Sequence, residues 1–326
     1  MTDDIRAVVV PENGGPDVLQ VQTRPRPAPG PGELLVEVGA SGVNFMDVYQ
    51  REGVYKVETP FVLGTECAGR VLALGPGVEG FAPGDLVATA RGSATHADLT
   101  VIPAAGAVPV PDGITADLAA AAMVQGVTAH YLVNSTYAVR DGDAVLVHAA
   151  AGGVGQLLVQ LAKAKGARVI ATVGSAEKVA VARSVGADDV IRYDQVDDFA
   201  AAVRDLVPDG VHVAYDGVGK ATFEGSLASL RHRGMLALFG AASGQVPPFD
   251  LQRLNPLGSL YVTRPTVAHY LADRQELLWR SGDVFAAIAD GALTVTIGGR
   301  YSLEDAAQAY RDLEGRATTG KLLLVP

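Results

Sequence analysis

Apolar and polar positions change rhythm near residue 126. Before that point, short apolar runs at 6–10, 33–38, 69–74 and 85–88 are separated by Gly14-Gly15-Pro16, Pro29-Gly30-Pro31-Gly32, Gly75-Pro76-Gly77 and Pro83-Gly84. Runs of this length between glycine and proline turns predict strands, because those two residues free or fix the backbone where it must reverse. Together they predict a compact, mostly antiparallel, barrel-like β domain. After residue 126 the pattern alternates. Strands are predicted at 143–148, 168–173, 190–192, 211–216 and 234–239, and helices at 155–166, 176–185, 199–207 and 221–230. In the first of these helices Leu157, Leu158, Leu161 and Ala162 share one face. Strand–helix alternation at this spacing predicts an α/β fold with a doubly wound parallel sheet. The stretch 266–326 adds two helical patterns, 271–290 and 303–313, and a strand-like run at 321–325.

Composition narrows the picture. A chain of 326 residues with 48% hydrophobic and 19% charged positions is globular and sized for two domains. Its formal charge of −10 disfavours a nucleic-acid partner, since phosphate binding needs a positive field. Arg231-His232-Arg233 is the only tight basic cluster. The single cysteine, Cys67, forbids a disulfide within the chain and any multi-cysteine zinc site. It sits in an apolar run and reads as buried and inert. A cytoplasmic protein is expected from this cysteine usage. The acidic start Met1-Thr2-Asp3-Asp4 and the short apolar run after it do not read as a signal peptide, and no run is long enough to cross a membrane.

The strongest motif is His148-Ala149-Ala150-Ala151-Gly152-Gly153-Val154-Gly155, which follows a predicted strand and opens a predicted helix. In that context Gly152 and Gly153 let backbone approach a pyrophosphate, and Gly155 permits close helix–strand packing. The helix N-terminus offers free N–H groups and a positive dipole end. Ala150 stands where the usual fingerprint has its first glycine. A ligand-free glycine turn is the competing reading. An NAD site needs an acid about 20 residues further on, for the ribose 2′-hydroxyl. Here the strand ends at Gly174, followed by Ser175, Ala176, Glu177 and Lys178. With no acid at 174 or 175, and with Ser175, Lys178 and Tyr193 able to meet a 2′-phosphate, the expected cofactor is NADPH. Lys178 also reads as a solvated helix residue, and Glu177 as a support for the helix's first turn.

Asn44-Phe45-Met46-Asp47-Val48-Tyr49, Leu63-Gly64-Thr65-Glu66-Cys67-Ala68-Gly69, the glycine loop, Asp216-Gly217-Val218-Gly219, the segment 258–265 and Arg316-Ala317-Thr318-Thr319-Gly320 together resemble the quinone oxidoreductase family. That family is the zinc-independent, zeta-crystallin-like branch of the medium-chain dehydrogenases/reductases, and the resemblance runs end to end. It implies a Rossmann NADPH-binding domain at 125–265 inserted into a GroES-like, mostly-β catalytic domain made of 1–124 and 266–326. It also implies a homodimer paired through the Rossmann sheet, with Tyr261 and Val262 near the contact. Zinc-dependent relatives carry Cys where this chain has Asn44 and His where it has Thr65, so no metal is expected.

The activity implied is transfer of reducing equivalents from NADPH to a quinone, with no metal and no flavin. Asn44, Tyr49 and Tyr55 are the expected hydrogen-bond donors to the quinone, with Asp47 orienting them. Each has a plainer reading: Asn44 as a helix N-cap, Asp47 as a first-turn acid, the tyrosines as half-buried core. Further cofactor contacts are expected from Asn44, Gly126, Thr128, Ala151 to Gly155, Phe239, Gly240, Ser243, Arg264 and Lys321, although the last two also read as ion-pair partners. His148 either lines the cofactor site or is structural. Reduction of activated C=C bonds in enones and enals, and NADPH or RNA binding without turnover, are the competing functions.

Overall fold

The computed structural model describes residues 4–316 and 318–326. Met1-Thr2-Asp3 of the acidic start and Ala317 of the 316–320 motif lie outside the described residues. The chain forms two compact units, one from Met1–Val124 with Leu271–Pro326 and the other from Gln125–Tyr270.

The first unit opens with β1 (Asp4–Val10), β2 (Gln20–Pro25), β3 (Glu33–Val43), α1 (Phe45–Arg51), β4 (Phe61–Val62), β5 (Cys67–Leu74), β6 (Leu86–Thr89), β7 (Leu99–Pro103) and β8 (Val108–Pro109). β1 is the middle of a three-stranded antiparallel sheet, β2-β1-β4. The long strand β3 organises the larger sheet, pairing antiparallel with β5 and β7. Val36, Val71, Val87 and Ile102 fill the core beneath it. Helix α2 (Ala116–Tyr131) carries the chain into the second unit. Pattern reading does not anticipate α2, whose alanines 119–122 are buried without periodicity.

The second unit alternates strand and helix: β9 (Ala144–Val147), α3 (Gly153–Ala164), β10 (Arg168–Val173), α4 (Ala176–Ser184), β11 (Asp189–Arg192), α5 (Phe199–Leu206), β12 (Val211–Asp216), α6 (Phe223–Ser229), β13 (Leu230–Leu238), β14 (Tyr261–Thr263) and the short α7 (Val267–Tyr270). All six strands are parallel, in the order β11-β10-β9-β12-β13-β14. The chain thus starts in the middle of the sheet and reverses direction beside β9, the doubly wound arrangement whose switch point binds dinucleotides. β9 is buried at every position, as a central parallel strand must be. On α3, Leu157, Leu158 and Ala162 are buried, whereas Leu161 is only half-buried. The helix expected at 221–230 is shorter because the Asp216 carboxylate captures the N–H groups of Val218 and Gly219 and the Thr222 hydroxyl, holding 217–222 as a loop. β13 then begins four residues earlier than the pattern suggests.

The chain returns to the first unit through α8 (Arg274–Ala289), β15 (Ile297–Tyr301), α9 (Ala306–Glu314) and β16 (Lys321–Leu324). Asp273 caps α8 by accepting from the N–H groups of Gln275 and Glu276, so that helix starts three residues later than expected. β16 inserts between β15 and β3, antiparallel to β3 with Leu322 opposite Val43. Tyr310 of α9 and Leu322 and Leu324 of β16 close a core with Val8, Val43 and Val48.

Candidate active site

Strand register assembles the polar cluster of the first unit. Leu322 opposite Val43 brings Lys321 beside Asn44, and Ser41 opposite Cys67 brings Glu66 beside Gly42. A Cβ on Gly42 would lie 2.0 Å from Glu66 Oε1 and 2.6 Å from Lys321 Cε, so a bare backbone is required there. In this space Lys321 Nζ donates to Asn44 Oδ1 at 2.8 Å and also to Glu66 Oε1. Asn44 Nδ2 donates to Glu66 Oε1 at 2.7 Å and to the Gly42 carbonyl at 3.2 Å. Glu66 Oε2 accepts from the Val124 N–H at 2.7 Å. Glu66 and Lys321 are wholly buried.

Two expectations change here. Lys321, expected as a basic cofactor contact, spends its charge on Glu66 and Asn44 and offers no surface. Asn44, expected as a donor to the substrate, has both amide hydrogens engaged, so what remains is a lone pair on Oδ1. Asn44 is also the N-cap of α1, and its backbone N–H donates to Asp47 Oδ2 at 2.8 Å. Asp47 is fully buried, and burial pushes its carboxyl up to about 7. Thr65 donates to Asp47 Oδ1 at 3.2 Å and Tyr310 to Oδ2 at 3.0 Å. Tyr49 is half-buried and Tyr55 exposed, their rings packed edge-on at 5.4 Å. Cys67 is buried, and the apolar surroundings push its thiol up to about 12.

The donor set does not fit zinc. Asn44 and Thr65 are poor ligands, and a buried ammonium already neutralises Glu66, so a second cation there would meet repulsion. Among the described residues no group of three His, Cys, Asp or Glu is placed to hold a metal.

In the second unit β9 runs into His148 and the glycine loop. Ala149 takes a left-handed φ of 49°, its carbonyl accepts from the Gly152 N–H at 2.8 Å, and Gly152 caps α3. A Cβ on Gly155 would lie 2.3 Å from the Ala149 carbonyl oxygen. One on Gly153 would lie 1.9 Å from Gln125 Oε1, a buried oxygen with no hydrogen-bond partner. A dinucleotide fits these features. The bare loop admits a pyrophosphate, the first turn of α3 presents free N–H groups, and the cofactor's hydroxyls and amide are donors for an orphaned oxygen. Gln125 opens the 125–128 segment expected at the cofactor, and the missing Cβ at Gly153 picks out its side chain.

Beyond β10, a Cβ on Gly174 would lie 2.7 Å from the Tyr193 hydroxyl. Ser175 caps α4, and Lys178 stands half-buried on its first turn. Glu177 turns back on its own N–H and on the Ser175 hydroxyl, which hold its carboxyl below the usual range. Arg192 pairs with Asp194 at 2.7 Å and lies opposite Val173 in the sheet register. Sequence reading missed it, though its place before Tyr193 was a signal. Thr128 is buried, and Ala151 and Gly126 are too, while Val154 is half-buried. Ser243 Oγ accepts from the Ala221 N–H at 2.9 Å and donates to the Val218 carbonyl at 2.8 Å, which ties it to its own loop. A Cβ on Gly240 would lie 2.4 Å from the Gly217 carbonyl, next to the Phe239 ring packed over Gly217. Arg264 is exposed at the end of β14, and its Nη1 donates to the Pro265 carbonyl. His148 is buried and neutral, since burial lowers its pKa. It contacts Thr172 at 2.8 Å and Ser226 at 2.9 Å, a placement inside the unit rather than on a ligand face.

The sequence pattern of the alcohol dehydrogenase GroES-like domain matches residues 30–112, and that of the zinc-binding dehydrogenases residues 153–278. The quinone oxidoreductase of Salmonella typhimurium is 42% identical over 320 residues, covering 97% of this chain and 98% of that one. This chain belongs to the quinone oxidoreductase family. Escherichia coli quinone oxidoreductase, solved in complex with NADPH, superposes with a TM-score of 0.96 at 40% identity, covering 98% of this chain and 100% of that one. A mycobacterial protein, also solved with NADPH, superposes with a TM-score of 0.96 at 49% identity over 98% of this chain and 100% of its own. The zinc-binding dehydrogenase pattern thus matches a chain in which Asn44 and Thr65 offer neither thiolate nor imidazole.

Proposed function

We propose that this chain is an NADPH-dependent quinone oxidoreductase, passing a hydride from NADPH to a quinone without metal or flavin. The observation that carries the reading is the Lys321–Glu66–Asn44 cluster, in which a buried ammonium bonds Asn44, one of the two positions where zinc-dependent relatives are expected to carry a ligand. A site of that chemistry has no Lewis acid to draw the proton from an alcohol, and it suits an acceptor that gains aromaticity on reduction and needs no such help. NADPH, when bound, supplies the hydride. The chain's part is binding and orientation. Gly152, Gly153 and the first turn of α3 receive the pyrophosphate. Ser175, Lys178 and Tyr193, with Arg192 beside them, receive the 2′-phosphate. Asn44 Oδ1 and Gln125 Oε1 accept from the cofactor's hydroxyl or amide donors, while Tyr49 and Tyr55 donate to the quinone oxygens as charge develops there.

The edge strand β14 supports a homodimer. Tyr261 is 56% exposed and Val262 36%, on a strand with one side unpaired. A cytoplasmic location agrees with the single buried thiol, and no described helix is long and apolar enough to cross a membrane. The net charge of −10 supports no nucleic-acid partner. The test is NADPH oxidation against a panel of quinones, enones and aldehydes with product identification. The expected result is hydroquinone formed in step with NADPH consumed. A saturated ketone from the enone, with quinones left untouched, would move the reading to C=C reduction, and cofactor binding without turnover would end it.

A further inference from the structure

A file of buried polar groups runs from the start of α1 to the end of β3. Asp47 Oδ2 meets the Tyr310 hydroxyl at 3.0 Å, and that hydroxyl meets His96 Nε2 at 2.7 Å. His96 Nδ1 meets Ser41 Oγ at 2.7 Å, and Ser41 Oγ lies 2.8 Å from the Glu66 carbonyl and 2.9 Å from Thr95 Oγ1. Asp47, Tyr310, His96, Ser41 and Thr95 are each wholly buried. Nothing in the reading of the reaction above uses Tyr310 or His96.

Counting hydrogens gives this file a property its members lack singly. Each hydroxyl has one hydrogen to donate, and a neutral imidazole carries one on two nitrogens. With Asp47 ionised, Tyr310 donates to Asp47, its oxygen accepts from His96 Nε2–H, and Nδ1 accepts from Ser41. With Asp47 protonated, every arrow reverses. Asp47 donates to Tyr310, Tyr310 to Nε2, and Nδ1–H to Ser41, whose own hydrogen turns to the Glu66 carbonyl. The two orders differ by one proton taken from solvent. Ser41 hands its proton to Nδ1 and takes the incoming one in its place, the Nε2 proton passes to Tyr310 and the Tyr310 proton to Asp47, and no group between keeps a charge.

We propose that Asp47, Tyr310 and His96 form a proton wire in which ionisation of Asp47 sets the tautomer of His96. Tyr310 and His96 are then positioning residues for the α1 N-terminus, because the oxygen that Tyr310 addresses is the one that accepts the Asn44 backbone N–H. The charges around the file favour this division of labour. Burial pushes Asp47 up to about 7, with the Lys321 ammonium opposing and the Glu66 carboxylate adding to the shift. Burial and Lys321 bring His96 down to about 3, so it stays neutral and answers by tautomer rather than by charge. Burial and the Asp47 carboxylate hold Tyr310 well above its usual range, with Arg51 lowering it and Glu314 raising it. Asp47 also meets the uncharged Thr65 hydroxyl, and its Oδ2 lies 3.9 Å from His96 Nε2 itself, beyond hydrogen-bond reach, so Tyr310 is the link between them.

Nitrogen-15 NMR of the imidazole nitrogens in the cofactor-free protein reads the tautomer directly, with His96 assigned by comparison with His96→Gln. The expected result is Nε2–H in mild alkali and Nδ1–H in mild acid, with a midpoint near 7. Asp47→Asn must keep its amide oxygen towards the Asn44 N–H, so Tyr310 goes on donating to it and His96 should stay Nε2–H at every pH. Tyr310→Phe should cut the wire and leave a tautomer that ignores pH. One tautomer throughout in the wild type, or a pH-linked change that survives Tyr310→Phe, would overturn the proposal. Its reach to the cofactor rests on the reading that Asn44 Oδ1 accepts from NADPH. By fluorescence titration, NADPH should bind about 5-fold more weakly at mildly acid than at mildly alkaline pH, and with no such trend in Asp47→Asn. A tautomer change beside flat NADPH affinity would uphold the wire and remove Asn44 from the cofactor.

Discussion

At the scale of single residues, the same side chain often satisfies its plain reading and its chemical one. Asn44 is an N-cap and also a member of the buried cluster, since the cap uses its backbone N–H while the amide faces Lys321 and Glu66. The sequence made Asn44 and Asp47 visible because they share a local motif. It hid the role of Lys321, which lies 277 positions from Asn44 and meets it only through the β3–β16 register. Charge matching makes Lys178 the residue to test. A hydrogen bond to a charged group is worth roughly 10-fold or more in affinity. Lys178→Ala should raise the Michaelis constant for NADPH by about that factor and leave the constant for NADH nearly unchanged. Turnover at saturation should hold, because ground and transition states share the contact. Equal losses with both cofactors would mean that the lysine supports the fold instead.

At the scale of elements, strong periodicity was readable and its absence was not. The parallel strands and α3 to α5 announced themselves by alternation, whereas the middle of α2, residues 119–124, is continuously apolar and carries no period to detect. Helix α6 was overestimated because the capture of loop N–H groups by Asp216 is a tertiary event. The glycine loop is where element geometry is least forgiving. In Gly155→Ala the new methyl would sit 2.3 Å from the Ala149 carbonyl and 2.8 Å from Ala150 Cα, both backbone atoms that cannot swing aside. The expected cost is about 2 kcal/mol of stability with a marked loss of NADPH affinity, measured by urea unfolding and fluorescence titration. Native stability and affinity in this variant would mean the loop accommodates bulk by moving.

At the scale of the whole molecule, buried ionisable groups shape the response to acid. His96 is lowered to about 3 from 6.5, so the stability it lends is present above 6.5 and is lost as pH falls towards 3. Asp47 is raised to about 7 from 3.8, so its share is fullest below 3.8 and is lost as pH rises through 7. Between about 4 and 6.5 the two slopes oppose and the wild type should be comparatively flat. Asp47→Asn removes one slope, and its stability should fall on acidification by up to about 1.4 kcal/mol per pH unit across that window. Urea titrations at both ends check this, and a variant as flat as the wild type would refute it. For assembly, Tyr261→Asp places a charge on the exposed edge of β14 and should convert a dimer to a monomer in light scattering, while an unchanged mass would place the contact elsewhere. The discontinuity of the first unit also has a meaning in time. On the ribosome, Glu66 and Asn44 emerge long before Lys321, with all of the second unit in between. The second unit is contiguous and can fold as soon as it is made, but the first must wait, its future core strand missing and its acid without a counter-charge. Nascent chains should therefore acquire protease resistance in the second unit before the first.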